Sequence, residues 1–271
     1  MNDISNVLHE NYKRSVCSFI PFITAGYPNL DLTLEILYEL DKQGVDAIEL
    51  GVPYSDALAD GILIQEASKV AINNGVNLDT VFFILKKTFG IISTPIIIFS
   101  YYNPILVRGI KSFIHEIASL NVKGLVIPDL PIEEADYILN LCKISQIELI
   151  LFISPTSSNS RILNIIKKSP GCLYLVSSTG VTGIRDSIDS NINKIANEIL
   201  IHSNKMIMLG FGIAKPEHVQ DILKSDIGIH GIVVGSAFTK ILSKYNNSDK
   251  NKDIVREVGS FCVQMKSAAV K

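Results

Sequence analysis

The chain has 271 residues, 47% of them hydrophobic, with a formal net charge of −2 and a pI near 6.2. That length sets a prior of one or two domains and the apolar fraction is ample for a large core, while the charge balance gives no general basic field for nucleic acid. Chemistry on a small molecule in a soluble protein is the class left standing.

The N-terminus, Met1 to Ser15, is polar and mixed in charge, without the basic start and apolar core of a signal peptide, so it reads as cytoplasmic. Apolar runs such as Pro95-Ile96-Ile97-Ile98-Phe99 fall far short of a membrane span. Cys17, Cys142, Cys172 and Cys262 have neither CxxC nor His-containing spacing, and His9, His115, His202, His218 and His230 are equally scattered. Neither set predicts a disulfide framework or a metal site.

Eight short apolar runs follow in order: Phe19–Thr24, Ala47–Leu50, Pro95–Ser100, Gly124–Pro128, Glu148–Ile153, Leu173–Ser177, Met206–Leu209 and Gly231–Val234. They are continuous rather than alternating, as parallel strands buried on both faces require. Helix-like stretches separate them, with Asp31 before an apolar periodic run, Asp79 before Val81-Phe82-Phe83, and Pro216-Glu217 in a first turn. About eight β-then-α units predict a closed (β/α)8 barrel, with a helix at the N-terminus and extra helices, formed by residues 1–271 as one unit. An open doubly wound sheet is the structural alternative. The most polar run, 246–252, reads as a turn between C-terminal helices rather than a linker.

The unusual residues cluster where the predicted strands end: Thr24-Ala25-Gly26, Glu49, Tyr101-Tyr102-Asn103-Pro104, Asp129-Leu130-Pro131, Ser154-Pro155, Gly180-Val181-Thr182-Gly183, Gly210-Phe211-Gly212 and Gly235-Ser236. In a barrel these loops meet on one face, which makes that face the expected mouth of a site. Gly212, Gly235 and Ser236, with Gly183 before them, fit a phosphate cradle, because glycine lets backbone N–H groups approach an anion closely. Phe22, Phe99, Tyr101, Tyr174 and Phe211 fall near strand ends, where they either line a pocket for a flat apolar group or pack the core. A Tyr174 hydroxyl beside carboxylates could also position a substrate or relay a proton.

Glu49 and Asp60 stand at opposite ends of the loop Glu49-Leu50-Gly51-Val52-Pro53-Tyr54-Ser55-Asp56-Ala57-Leu58-Ala59-Asp60-Gly61. An apolar pocket would raise the Glu49 pKa toward neutrality, and a polar loop would keep Asp60 charged, a separation that acid/base chemistry uses. Glu49 paired with a structural cation and Asp60 as a plain turn residue are the competing readings.

Chained together, Phe19-Ile20-Pro21-Phe22-Ile23-Thr24-Ala25-Gly26-Tyr27-Pro28, Glu49-Leu50-Gly51-Val52-Pro53-Tyr54-Ser55-Asp56, Ala59-Asp60-Gly61, Ile64-Gln65, Tyr102-Asn103-Pro104, Pro128-Asp129-Leu130-Pro131, Gly180-Val181-Thr182-Gly183, Gly210-Phe211-Gly212 and Gly235-Ser236-Ala237 closely resemble the tryptophan synthase alpha chain family over essentially the whole length. The resemblance implies a lyase that splits indole-3-glycerol phosphate into indole and glyceraldehyde 3-phosphate by a retro-aldol reaction. It makes Glu49 the residue that moves protons and Asp60 the one that stabilises the ring nitrogen, supported by Tyr174 and by Thr182 on a mobile lid. It implies no cofactor in this chain, and an α2β2 heterotetramer with a β chain that carries pyridoxal phosphate, contacted through Pro53, Asp56, Asn103, Pro104 and Pro131.

Three positions depart from that pattern. Ala57 and Ile62 replace prolines usual in the motif, which predicts a loop less fixed than in relatives, and Ser178 replaces an arginine that some relatives carry. A phosphosugar isomerase or aldolase on the same barrel is a second enzyme reading, weakened by the lack of a lysine at an obvious strand end. A non-catalytic activator of a partner chain is a third, of a different class.

Overall fold

The computed structural model describes residues 3–176, 190–210, 212–225, 227–244 and 251–270. Eight parallel strands close into a barrel in sequence order: β1 (Ser18–Thr24), β2 (Ile48–Gly51), β3 (Ile96–Phe99), β4 (Gly124–Val126), β5 (Glu148–Ile153), β6 (Leu173–Val176), β7 (Ile207–Gly210) and β8 (Gly231–Val234). All eight predicted runs are strands, with ends shifted by one or two residues, and the (β/α)8 reading holds over the open sheet.

Twelve helices lie among the described residues. The first six are α1 (Asp3–Lys13), α2 (Leu30–Lys42), α3 (Ile62–Asn73), α4 (Leu78–Thr88), α5 (Tyr102–Arg108) and α6 (Ile110–Ser119). The rest are α7 (Ala135–Ile144), α8 (Asn159–Lys168), α9 (Ser190–His202), α10 (Pro216–Lys224), α11 (Ser236–Leu242) and α12 (Asn251–Ala268). Asp31 and Asp79 sit in first turns as acidic complements to the helix dipole, while the capping is done upstream. The Asn29 side chain accepts the Leu32 N–H, and Asn77 forms a capping box with Thr80. Pro216 opens α10 as predicted. The turn expected at 246–252 falls largely outside the described residues, and Asn251 and Lys252 already belong to α12.

Two apolar layers follow from the period of two along each strand. Outward residues such as Ile48, Leu50, Ile98, Leu149, Leu173 and Ile232 pack beneath the helices. Inward residues such as Ile20, Phe22, Ala47, Ile97, Phe99, Ile150, Cys172, Tyr174, Met208 and Val233 fill the barrel. At the end where the strands begin, α1 closes the lumen with Ile4 and Leu8, each about 1% exposed and worth roughly 1.5–3 kcal/mol of burial.

A carboxyl group holds that plug in place. Glu148, the first residue of β5, is fully buried, and its Oε2 accepts the Ser5 N–H at 3.0 Å in the first turn of α1. Its Oε1 accepts the Ser5 hydroxyl and, at 2.6 Å, the Cys172 N–H. The β5 strand, the β6 strand and the N-terminus of α1 thus meet on one side chain. Gly171 is required beside it, since a Cβ there would stand 1.9 Å from Glu148 Oε1.

Candidate active site

At the opposite end of the barrel the strands open on a cavity of about 320 Å³. Glu49 is the second residue of β2. Ile48 and Leu50 face the helices, so Glu49 points into the lumen, paired in register with Phe22 of β1 and Ile97 of β3. It is 1% exposed, and its Oε1 has no hydrogen-bond partner among the described residues. Burial in this apolar surrounding, reinforced by nearby Asp60, pushes its carboxyl up to about 8. The cation that would make Glu49 a structural ion-pair residue is not among its described partners. A buried acceptor left without a partner costs about 1–3 kcal/mol, which calls for a ligand that supplies one.

Asp60 differs from its expectation. It is 5% exposed, and burial pushes it up to about 7, with the Tyr101 hydroxyl pulling the other way. The loop folds back into the mouth instead of standing in water. Asp60 N–H donates to the Ala57 carbonyl at 3.1 Å, and Gln65 Nε2 donates to the carbonyls of Ala57 and Asp60 at 3.1 and 2.9 Å. The Tyr101 hydroxyl accepts the Ala59 N–H at 3.0 Å. Hydrogen bonds therefore fix the loop from Ala57 to Asp60, including one of the two places where relatives were expected to use proline, and Ala57 is buried beneath it while Ile62 is exposed.

Phe22, Phe99, Tyr174, Gly212, Gly235 and Ser236 line the same cavity as the two carboxyl groups. Phe22 and Phe99 meet edge to face at 5.5 Å, and Tyr174 packs on Phe152 at 4.6 Å. Tyr174 is buried beside Glu49 and Asp60, which, after its burial, push its hydroxyl further above its ordinary range. Gly212 has φ +80°, a left-handed conformation suited to glycine, and Ser236 begins α11. Thr182, Gly183, Phe211 and Ser178 lie outside the described residues.

Tyr101 does not line the cavity. It stands one layer behind, its ring 6.2 Å from Phe99 and its hydroxyl on the Asp60 loop. The residues expected to face a partner are divided: Asp56, Asn103 and Pro131 are exposed, Pro104 is half-buried and Pro53 is buried. Pro53 is held in the interior because it follows β2 directly, where Val52 N–H still bonds to the Phe99 carbonyl.

Several wall residues escape a reading of the sequence. Val233 is within its reach, because it shares inward parity with Gly231 at the end of β8. Ile62, Leu63, Ile213 and Ala214 complete the wall from helix starts and loops, whose return over the mouth no local pattern reveals. Gly51 and Gly210 matter through what they leave room for. A Cβ on Gly51 would lie 2.4 Å from the Phe22 ring, and one on Gly210 2.2 Å from the Tyr174 hydroxyl. Because that tyrosine ring is packed and buried, Gly210→Ala is expected to displace the hydroxyl and lower turnover about 10–100-fold, with only a small change in melting temperature. Steady-state kinetics beside a thermal melt checks this.

No lysine or arginine lines the cavity among the described residues, and they hold no group of three His, Cys, Asp or Glu placed for a metal. The fold and the site together define a (β/α)8 barrel whose mouth holds two buried carboxyl groups in an apolar cavity, the setting of a barrel enzyme. A family model described as tryptophan synthase alpha chain matches residues 8–270. The tryptophan synthase alpha chain of Antithamnion sp. is 52% identical over 270 residues, covering all of both chains, and that of Gracilaria tenuistipitata var. liui is 53% identical over 98% of this chain and 96% of its own. The crystal structure of tryptophan synthase subunit alpha from Legionella pneumophila str. Paris superposes with a TM-score of 0.86 at 29% identity, covering 99% of this chain and 98% of that one. The chain belongs to the tryptophan synthase alpha chain family, lyases that cleave indole-3-glycerol phosphate to indole and glyceraldehyde 3-phosphate in tryptophan biosynthesis.

Proposed function

We propose that Glu49 and Asp60 divide the proton work of that cleavage inside the described cavity. The observation that carries the assignment is the unpartnered, buried Glu49 Oε1 in the same apolar cavity as a second buried carboxyl group. Neutral Glu49 delivers its proton to the ring carbon that bears the side chain, and the ring nitrogen takes on positive charge beside the Asp60 carboxylate. The Glu49 carboxylate so formed removes the proton of the neighbouring side-chain hydroxyl. The O–H electrons form the aldehyde C=O, the carbon–carbon bond breaks, and its electron pair returns to the ring. Indole leaves with Glu49 protonated as it began.

Phe22, Phe99 and Tyr174 supply the wall for the indole ring, and Gly212, Gly235 and Ser236 backbone groups the cradle for the phosphate; the family resemblance adds Thr182, Gly183 and Phe211, which lie outside the described residues, as substrate contacts. This reading takes residues 1–271 as one barrel unit. No step needs a cofactor in this chain; pyridoxal phosphate belongs to the β chain of an α2β2 assembly that consumes the indole. Support for a partner face at the mouth is the exposure of Leu58 beside Asp56, and of Leu106 and Val107 on the helix of Asn103 and Pro104. A cytoplasmic placement is part of this reading, and no helix among the described residues is long and apolar enough to cross a membrane.

Indole release by the purified chain from indole-3-glycerol phosphate tests the reading. Catalysis needs Asp60 ionised and Glu49 protonated. With the two carboxyls pushed to about 7 and about 8, kcat/KM is expected to trace a narrow bell, rising as Asp60 ionises and falling as Glu49 does. Activation of a β chain without any indole release would instead favour the activator reading.

A further inference from the structure

We propose that Tyr101 is a positioning residue that aims the Asp60 carboxylate at the ring nitrogen from behind, without touching the substrate itself. The inference rests on the role given to Asp60 above. Tyr101 follows β3 as the N-cap residue of α5, 3% exposed and outside the cavity lining. Its ring is wedged between Phe99 at 6.2 Å and Tyr54 at 5.2 Å, so its hydroxyl has one place to go. Tyr54 is itself tied down from α5, its hydroxyl accepting from Asn103 Nδ2 at 3.3 Å.

The hydrogen-bond inventory of a phenol fixes the direction of what happens next. The Tyr101 oxygen accepts the Ala59 N–H at 3.0 Å, which leaves its own hydrogen for a second partner, and the carboxyl of the adjacent Asp60, whose charged form this hydroxyl favours, is the partner the placement assigns to it. One oxygen thus holds the loop backbone at Ala59, next to Asp60, and stands where its hydrogen can steady the carboxylate. The other ionisable groups around Asp60 are Glu49 from β2 and Tyr174 from β6, while Asp129 faces the Tyr101 hydroxyl from beyond β4. None of these is a cation. Tyr101 is therefore the partner that favours the charged form of Asp60, against burial that opposes it.

Tyr101→Phe isolates the hydroxyl, since the ring and its packing on Phe99 and Tyr54 remain. A hydrogen bond to a charged group predicts a fall in kcat for indole release of about 10–100-fold, with KM changed by less than about threefold. The acid limb of the kcat/KM profile should move up by about one pH unit as Asp60 loses its donor. In an Asp60→Asn background the same change should cost nothing further.

Normal kcat in the folded variant would overturn the proposal, as would an unmoved acid limb or a full additional loss in the Asp60→Asn background. A loss confined to KM would make Tyr101 a substrate contact and equally overturn it. The parent reading fails separately: full turnover by Asp60→Asn alone would remove the role of Asp60, and that of Tyr101 with it. An inactive Asp60→Asn beside an unaffected Tyr101→Phe would sink only the positioning claim.

Discussion

Glu49→Gln is expected to lower indole formation by about 10²–10⁴-fold while leaving the barrel folded, because it removes the group proposed to give and take the proton and nothing else. Glutamine fills the same space, and Oε1 has no described hydrogen bond to lose. Stability should change in the opposite direction. Held near 8 in the folded protein, the Glu49 carboxyl keeps a proton that the unfolded chain releases around pH 4.5. As pH rises through that window the unfolded state gains by ionising and the folded state does not, so stability drains away between about 4.5 and about 8. The glutamine variant has no such loss. It should match the wild type below about pH 4 and exceed it at about pH 8–9 by a few kcal/mol at most, on the order of one kcal/mol for each pH unit crossed, less what relaxation of the pocket recovers. Urea melts at pH 4 and pH 8.5 beside the kinetic assay check both halves. An active glutamine variant, or one less stable at high pH, would remove Glu49 from its role.

At the other end of the barrel, Glu148→Ala should be among the most destabilising single changes in the chain, at about 2–5 kcal/mol. It would strand the buried Ser5 N–H, leave the Cys172 N–H with the Ser5 hydroxyl at 2.8 Å as its one acceptor, and open a void beneath α1. Glutamine at the same place keeps the volume and one acceptor, and should cost clearly less. Thermal melts of the two variants, with kinetics measured well below the transition, distinguish this structural carboxyl from the one at the mouth. The expected pattern is a large fall in melting temperature for alanine with kcat nearly unchanged. Loss of kcat at full stability would mean that Glu148 takes part in the chemistry.

The contrast between these two glutamates marks how far the sequence can be read. Both lie on strands with inward parity, but Glu49 comes where a strand approaches its end and Glu148 where one begins. The first position is legible as part of the mouth from strand order alone, since all loops that follow strands meet there. The second is not, because its meaning lies in α1, 143 residues away along the chain. The eight strands themselves are legible because continuous apolar runs leave little choice other than a parallel sheet covered on both sides. For Asp60 the sequence is right about the neighbourhood of the site and wrong about solvation. Its burial depends on Gln65 and on Tyr101, the latter brought in from the end of a different strand. Proximity to a strand end suggests a pocket wall for Tyr101, and packing behind Phe99 reverses that rank. Hydrogen bonds from Gln65 also hold the loop at Ala57 and Asp60, where a proline at 57 is missing, through a side chain whose spacing carries no local signal.

A neutral Glu49 at physiological pH is the centre of the proposed mechanism, and difference infrared spectroscopy of the purified chain observes that proton directly. Subtracting the Glu49→Gln spectrum from the wild-type spectrum at pH 7 should reveal a protonated carboxyl stretch that titrates away near pH 8. A carboxylate band in its place, already ionised at pH 6, would contradict the assignment of Glu49 as the proton donor.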